Sequence, residues 1–201
     1  MMTRMIAALA APLAALAFIG CAHAQPSDPT HPDAVVQYGG PDPIIIETAE
    51  GPVELIAEIA DTEASRQRGL MHRESIGPNE AMLFDFEVEQ PVAIWMANTL
   101  ISLDILYVRA DGTIAKIIAH AQPLSRRSLP SDFPVLGVIE IAGGRAGELG
   151  IAPGDLVRHA LFGTWETGEA ALEEADETNS GAAPGEDADE DAGEPVEEAA
   201  D

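Results

Sequence analysis

The sequence predicts an α+β, β-rich domain, a small barrel-like and mostly antiparallel sheet with one or two short helices. Three observations lead there. Short runs rich in Val, Ile, Leu and aromatic residues recur between Ile44 and Phe162, as buried strands do. Turn signals such as Glu50-Gly51 and Ala110-Asp111-Gly112 separate them. Only the stretches after Thr62 and after Gly144 carry helix-boundary residues.

Taken in order, Ile44 to Thr48 is a β-branched run, and Val53 to Ala60 alternates apolar with acidic residues, so the two are expected to form a hairpin. Asp61 and Thr62 are good N-caps for a helix over Glu63 to Arg68, and Gly69 can take the left-handed conformation that ends it. Arg66, Arg68 and Arg73 gather positive charge just there. They could frame an anion site or pair with Asp61, Glu63 and Glu74, and exposed pairs of that kind contribute only ~0–1 kcal/mol each.

Ala81 to Phe86 is expected as a strand, with a bend over 88–91. Residues 91–108 form the centre of the chain: the apolar runs Val92–Met96 and Ile105–Val108 flank Asn98, Thr99 and Asp104. Drawn inside by their neighbours, these polar groups must find partners, so they are expected to converge at one end of the barrel, with Trp95 beside them. Ala110-Asp111-Gly112 makes residues 103–119 a hairpin. The polar run from His120 to Pro134 reads as a long loop and a candidate lid over that cluster. Val135 to Ala142 is a strand, Gly143-Gly144 opens a short helix ending at Gly150, and Leu156 to Phe162 is the last strand.

The ends of the chain differ from its middle. Residues 1–24 carry Arg4, an uncharged run from Met5 to Gly20 and then Ala22-His23-Ala24, the pattern of a secretory signal and its cleavage site. The run is short for a membrane span, which needs ~20 apolar residues, so none is expected in the mature protein. The protein is therefore expected to be exported, periplasmic or secreted. Processing at Cys21, in an imperfect lipobox, is the alternative and would make a lipoprotein. Cys21 is the only cysteine, so no disulfide can form within one chain. Residues 25–42 hold four prolines and read as a flexible spacer. From Glu166 to Asp201 there are 15 acidic residues and no basic one, most of the net charge of −25. That composition predicts a disordered acidic tail. What remains, residues 43–165, is the expected domain, itself acidic enough to argue against nucleic acid as a partner.

Gly69-Leu70-Met71-His72-Arg73, Ala81-Met82-Leu83-Phe84-Asp85-Phe86, Trp95-Met96-Ala97-Asn98-Thr99, Leu103-Asp104-Ile105 and Ile139-Glu140-Ile141 occur in an order and spacing that resembles the DUF192 family, also called UPF0127, over about residues 53–158. The resemblance implies a compact β-rich domain, often exported, and supplies no established catalytic residue. Ala81, Ile94, Ala97 and Ser102 depart from the family pattern, which has Gly, an aromatic, Lys and Pro there.

No nucleophile elbow, phosphate-binding glycine loop, dinucleotide fingerprint or zinc spacing occurs. Asp104 and Glu140, each inside an apolar strand, are the only candidates for acid/base chemistry, the basis of an alternative hydrolase or lyase. The plainer alternative has Asp104 capping a turn and Glu140 paired with an arginine. Met71, Met82 and Met96 with His72 and His120 are soft metal ligands by type, but Met in an apolar run is ordinarily core filler, and no metal or cofactor is expected. The sequence thus favours a module that binds a small polar ligand or an envelope protein through Trp95, Asn98, Thr99, Asp104 and Arg73, with a purely structural accessory domain as a third reading.

Overall fold

The computed structural model describes residues 26–165; the expected signal segment and acidic tail lie outside them. Seven strands make one sheet: β1 (Gly39–Thr48), β2 (Gly51–Ala60), β3 (Glu80–Ile94), β4 (Leu103–Val108), β5 (Ile114–Ala121), β6 (Leu129–Ala142) and β7 (Leu156–Arg158). Their order across the sheet is β5-β4-β6-β3-β2-β1-β7. All pairings are antiparallel except β2 with β3. A parallel pair needs a crossover, and residues 61–79, with helix α1 (Glu63–Arg68), supply it. The sheet curls until its edges meet: Thr113 bridges Leu156, the Ile114 amide donates to Asp155 O at 2.9 Å, and the Val157 amide to Gly112 O at 2.8 Å. Gly112 is required there, with φ 83° and a Cβ position 2.7 Å from Val157 O.

Each face of the sheet has its own core. Ile44, Leu55, Leu83, Leu106, Ile139 and Val157 belong to one that draws on nearly every strand. On the other face Met82, Phe84, Ile105, Tyr107 and Val138 pack with Leu70, from the turn after α1, and with Met96. This explains why β4 is apolar on both sides: all six of its residues are buried.

Several expectations hold in detail. Thr62 caps α1 in a reciprocal capping box with Ser65; Gly69 ends the helix with a positive φ of 46° as expected, but at ψ −134° it lies outside the left-handed helical conformation. β4 and β5 form the expected hairpin, with the Asp111 carboxylate accepting from the Thr113 amide at 2.9 Å. Others are changed by long-range pairing. The strand expected to stop at Phe86 runs on as β3 through the bend to Ile94, its register slipping between Asp85 and Gln90. Its partner β6 begins at Leu129, inside the expected loop, and pairs Pro130 with Ala93 and Pro134 with Pro91. In this stretch each strand has one neighbour only, so a proline can sit without leaving a ladder donor missing. The lid shrinks to residues 122–128 and lies along residues 96–99, where Ser125 O accepts from the Met96 amide and the Leu124 amide donates to Thr99 O, both at 3.0 Å. The last strand stops at Arg158, followed by a 3₁₀ turn (Ala160–Phe162) whose Leu161 amide donates to His159 Nδ1.

The stretch expected as spacer carries structure. β1 already begins at Gly39, and the residues before it are held against α1. The Arg68 guanidinium donates to the carbonyls of Pro29, His31 and Pro32, and Tyr38 donates its hydroxyl to Gly69 O at 2.8 Å.

Candidate functional site

Asp104 is fully buried in β4, where its neighbour across the ladder is Ile141. Three backbone amides satisfy its carboxylate: His120 and Gly144 donate to Oδ1 at 2.8 and 2.9 Å, and Ala146 donates to Oδ2 at 2.8 Å. Two of those amides belong to the start of helix α2 (Arg145–Glu148), whose N-cap, Gly144, has no side chain to offer. Asp104 supplies the missing cap from another strand and fixes the kinked end of β5 in the same act. With its acceptors committed, it has little left for a ligand.

Glu140 is placed quite differently. It stands on β6 between Met82 of β3 and Ile105 of β4, on the face opposite to that of Asp104. It is 4 % exposed, and no hydrogen bond from the described residues reaches its carboxyl. Burial alone pushes its pKa up, to about 8. Desolvation, with Glu140 and Asp132 nearby, pushes the pKa of the Tyr107 hydroxyl up; that hydroxyl donates to Leu129 O at 2.5 Å.

Above Glu140 lies a cleft of about 210 Å³, with Arg66, Gly69, Phe84, Trp95 and Thr99 among its walls. One wall is α1 and the turn that follows, held in place by the Thr62 cap and by Arg66, which donates to Asp61 O and Asp85 O, both at 2.7 Å. The opposite wall is the far end of β3 and the residue just after it, Trp95, 58 % exposed. Walls that are mostly apolar, with a few polar groups among them, are the ordinary make-up of a small-molecule site.

The expected cluster is thereby divided. Trp95 and Thr99 line the cleft. Asn98, at φ 59°, turns its side-chain amide nitrogen to Met71 Sδ at 3.7 Å while its backbone carbonyl accepts from the His72 amide. Asp104 faces the other side of the sheet. Arg73 pairs with Glu58, its guanidinium 5.5 Å from the centre of the Tyr38 ring, and lines two neighbouring hollows instead. Asp104 and Glu140 are not brought together, and among the described residues Glu140 has no arginine partner either; both outcomes follow from register. The arginines also find partners other than the nearby carboxylates expected: Arg66 pairs with Glu87. Gly69, Phe84 and Phe86 join the cleft without having been singled out by sequence, although Phe84 and Phe86 share one face of a strand and α1 was legible from its caps. Met82 and Met96 are fully buried, and no group of three His, Cys, Asp or Glu that could hold a metal occurs among the described residues. No helix among them is long and apolar enough to cross a membrane.

No curated protein matches the sequence. Solved structures do resemble it, among them the following two. A protein from Sinorhizobium meliloti 1021, described as a proposed transcription regulator, is 37 % identical with a TM-score of 0.61, the match covering 64 % of this chain and 99 % of that one. A protein of unknown function from Novosphingobium aromaticivorans DSM 12444 is 34 % identical with a TM-score of 0.59, covering 68 % and 100 %. The model of the DUF192 family, described as an uncharacterized ACR, matches residues 44–159. Spanning most of the described strands and agreeing with the five motifs, that match shows that the chain belongs to the DUF192 family.

Proposed function

We propose that this protein is an exported module that captures a small molecule in the cleft floored by Glu140. One observation carries the reading: the Glu140 carboxyl, almost wholly buried and without a hydrogen-bond partner among the described residues, lines the cleft. A buried polar group left unsatisfied costs ~1–3 kcal/mol, and groups kept at such a cost are commonly functional. Trp95 and Thr99 offer a flat apolar surface and a hydroxyl beside it. The two-carboxylate hydrolase or lyase lacks its pair, since Asp104 is committed on the other face.

Export rests on residues 1–24, with Ala22-His23-Ala24 as the cleavage site. Fatty-acid labelling that disappears in Cys21→Ser would replace simple cleavage with a lipid anchor.

The cleft is tested by screening sugars, amino acids, nucleotides and organic acids for thermal shifts of the wild-type protein and of Glu140→Leu. At least one compound should raise the wild-type melting midpoint and leave that of Glu140→Leu unmoved. Failure of every compound on the wild type, or equal shifts in both proteins, overturns the reading.

A further inference from the structure

We propose that the ligand of this cleft is a small amphoteric molecule of the amino-acid class, which enters amine first, pairs its ammonium with Glu140 and leaves its carboxylate at the mouth beside Arg68. The inference rests on the cleft being a small-molecule site and names the chemistry it selects.

The floor carries the first half of the argument. Glu140 lies between Met82 and Ile105, and no donor among the described residues approaches it. In so apolar a setting a cation offsets the desolvation of a carboxylate far better than a neutral donor does, because opposite charges attract strongly where the dielectric is low. The walls agree, since Phe84, Phe86 and Trp95 all line the cleft and aromatic ring faces attract ammonium groups.

The mouth carries the second half. Two arginines line it, and they differ in what they already hold. Arg66 is paired with Glu87. Arg68 meets three backbone carbonyls and, among the described residues, no carboxylate, so its charge is oriented but not neutralised by them. Glu63, also on the rim, is exposed and accepts from Gln67 at 3.1 Å, where solvent screens it. The layout is therefore an acid at the bottom and an uncompensated cation at the top. A simple anion meets the wrong group at the floor, and a simple cation leaves Arg68 unanswered. The volume, about 210 Å³, lies below the roughly 300–1,000 Å³ of pockets for drug-sized ligands and suits one amino acid better than a nucleotide.

The burial of Glu140 gives the proposal a signature that a structural role does not have. With its pKa raised to about 8, the free carboxyl holds its proton at pH 6.5; an arriving ammonium displaces that proton into solvent. Calorimetry of the mature chain at pH 6.5, in two buffers of different ionisation enthalpy, reads this directly. The probes are leucine, leucinol with the amine alone, N-acetylleucine with the carboxylate alone, and 4-methylpentanol with neither. Leucine should bind best and release close to one proton, and leucinol should bind about tenfold more weakly with the same release. Arg68→Gln should remove leucine's advantage over leucinol, and Arg68→Lys should keep it, which separates charge from the anchoring of residues 29–32. Binding of N-acetylleucine or 4-methylpentanol alone, without proton release, leaves the cleft a ligand site and overturns the amphoteric class. If none of the four binds, the inference falls, and the broader compound screen decides the cleft on its own.

Discussion

Asp104 and Glu140 stand one register step apart on neighbouring strands, and that step puts their carboxyls on opposite faces of the sheet. Asp104, opposite Ile141, meets three backbone amides. Glu140, opposite Ile105, meets a cleft. Two acidic residues in similar apolar strands thus have opposite energetic characters, one held by three amides and one left open.

For Glu140 the linkage is that of a raised carboxyl. Its contribution to stability is fully present below pH 4.5 and is lost as pH rises through about 8, because the unfolded chain releases the proton first. Glu140→Gln, which cannot ionise, should stabilise the protein by on the order of 2 kcal/mol at pH 7 and by little at pH 4.5. Denaturant unfolding at pH 4.5, 7 and 9 checks this, and a constant difference across the three would refute it.

Asp104 should behave in the opposite way. Asp104→Ala strands the amides of His120, Gly144 and Ala146 and should cost on the order of 3 kcal/mol, given ~1.5–3 kcal/mol for a hydrogen bond to a charged group and incomplete additivity. The same change should leave ligand binding in the Glu140 cleft intact wherever the protein remains folded. Unfolding curves and the thermal-shift screen measure the two halves separately.

Thr62→Ala removes the cap of α1 and should cost about 1 kcal/mol. The loss should be local. Hydrogen exchange should quicken at the Arg66 and Gly69 amides, which donate to Thr62 O and Ser65 O, before it quickens in β4 or β6.

His159 sets an acid limit. It is buried, Nδ1 accepts from the Leu161 amide, and burial holds its pKa below the ordinary 6.5 although Asp42, 3.7 Å away, pulls it up. Its contribution is present above pH 6.5 and lost as pH falls through the lowered value, when the ring must charge and give up the Leu161 bond. The melting midpoint of the wild type should therefore fall with acid over that range more steeply than that of His159→Gln.

Local chemistry made parts of this fold legible in the sequence. Thr62, Ser65 and Gly69 bound α1 through contacts within one turn, and Asp111-Gly112 specify a hairpin whose partners are a few residues away. The extension of β3 to Ile94 and the early start of β6 could not be read that way, since Pro130 and Pro134 look like loop residues until Ala93 and Pro91 lie beside them. The site followed the same division. Trp95 and Thr99 were visible as members of a polar-apolar cluster, yet whether Asp104 and Glu140 share a face depends on pairing between strands far apart in sequence. Alternation with a period of two gives a strand its faces but not which face meets which neighbour.

The seating of Pro29, His31 and Pro32 on Arg68 has a mechanical consequence. A pull on the chain ahead of residue 26 is resisted at those carbonyls and at the Tyr38 hydroxyl bond to Gly69 O before it reaches the first ladder of the sheet. Arg68 and Gly69 both belong to the wall of the cleft. Tension along the N-terminal segment is thus borne first by residues on the rim above Glu140, ahead of the strand ladders.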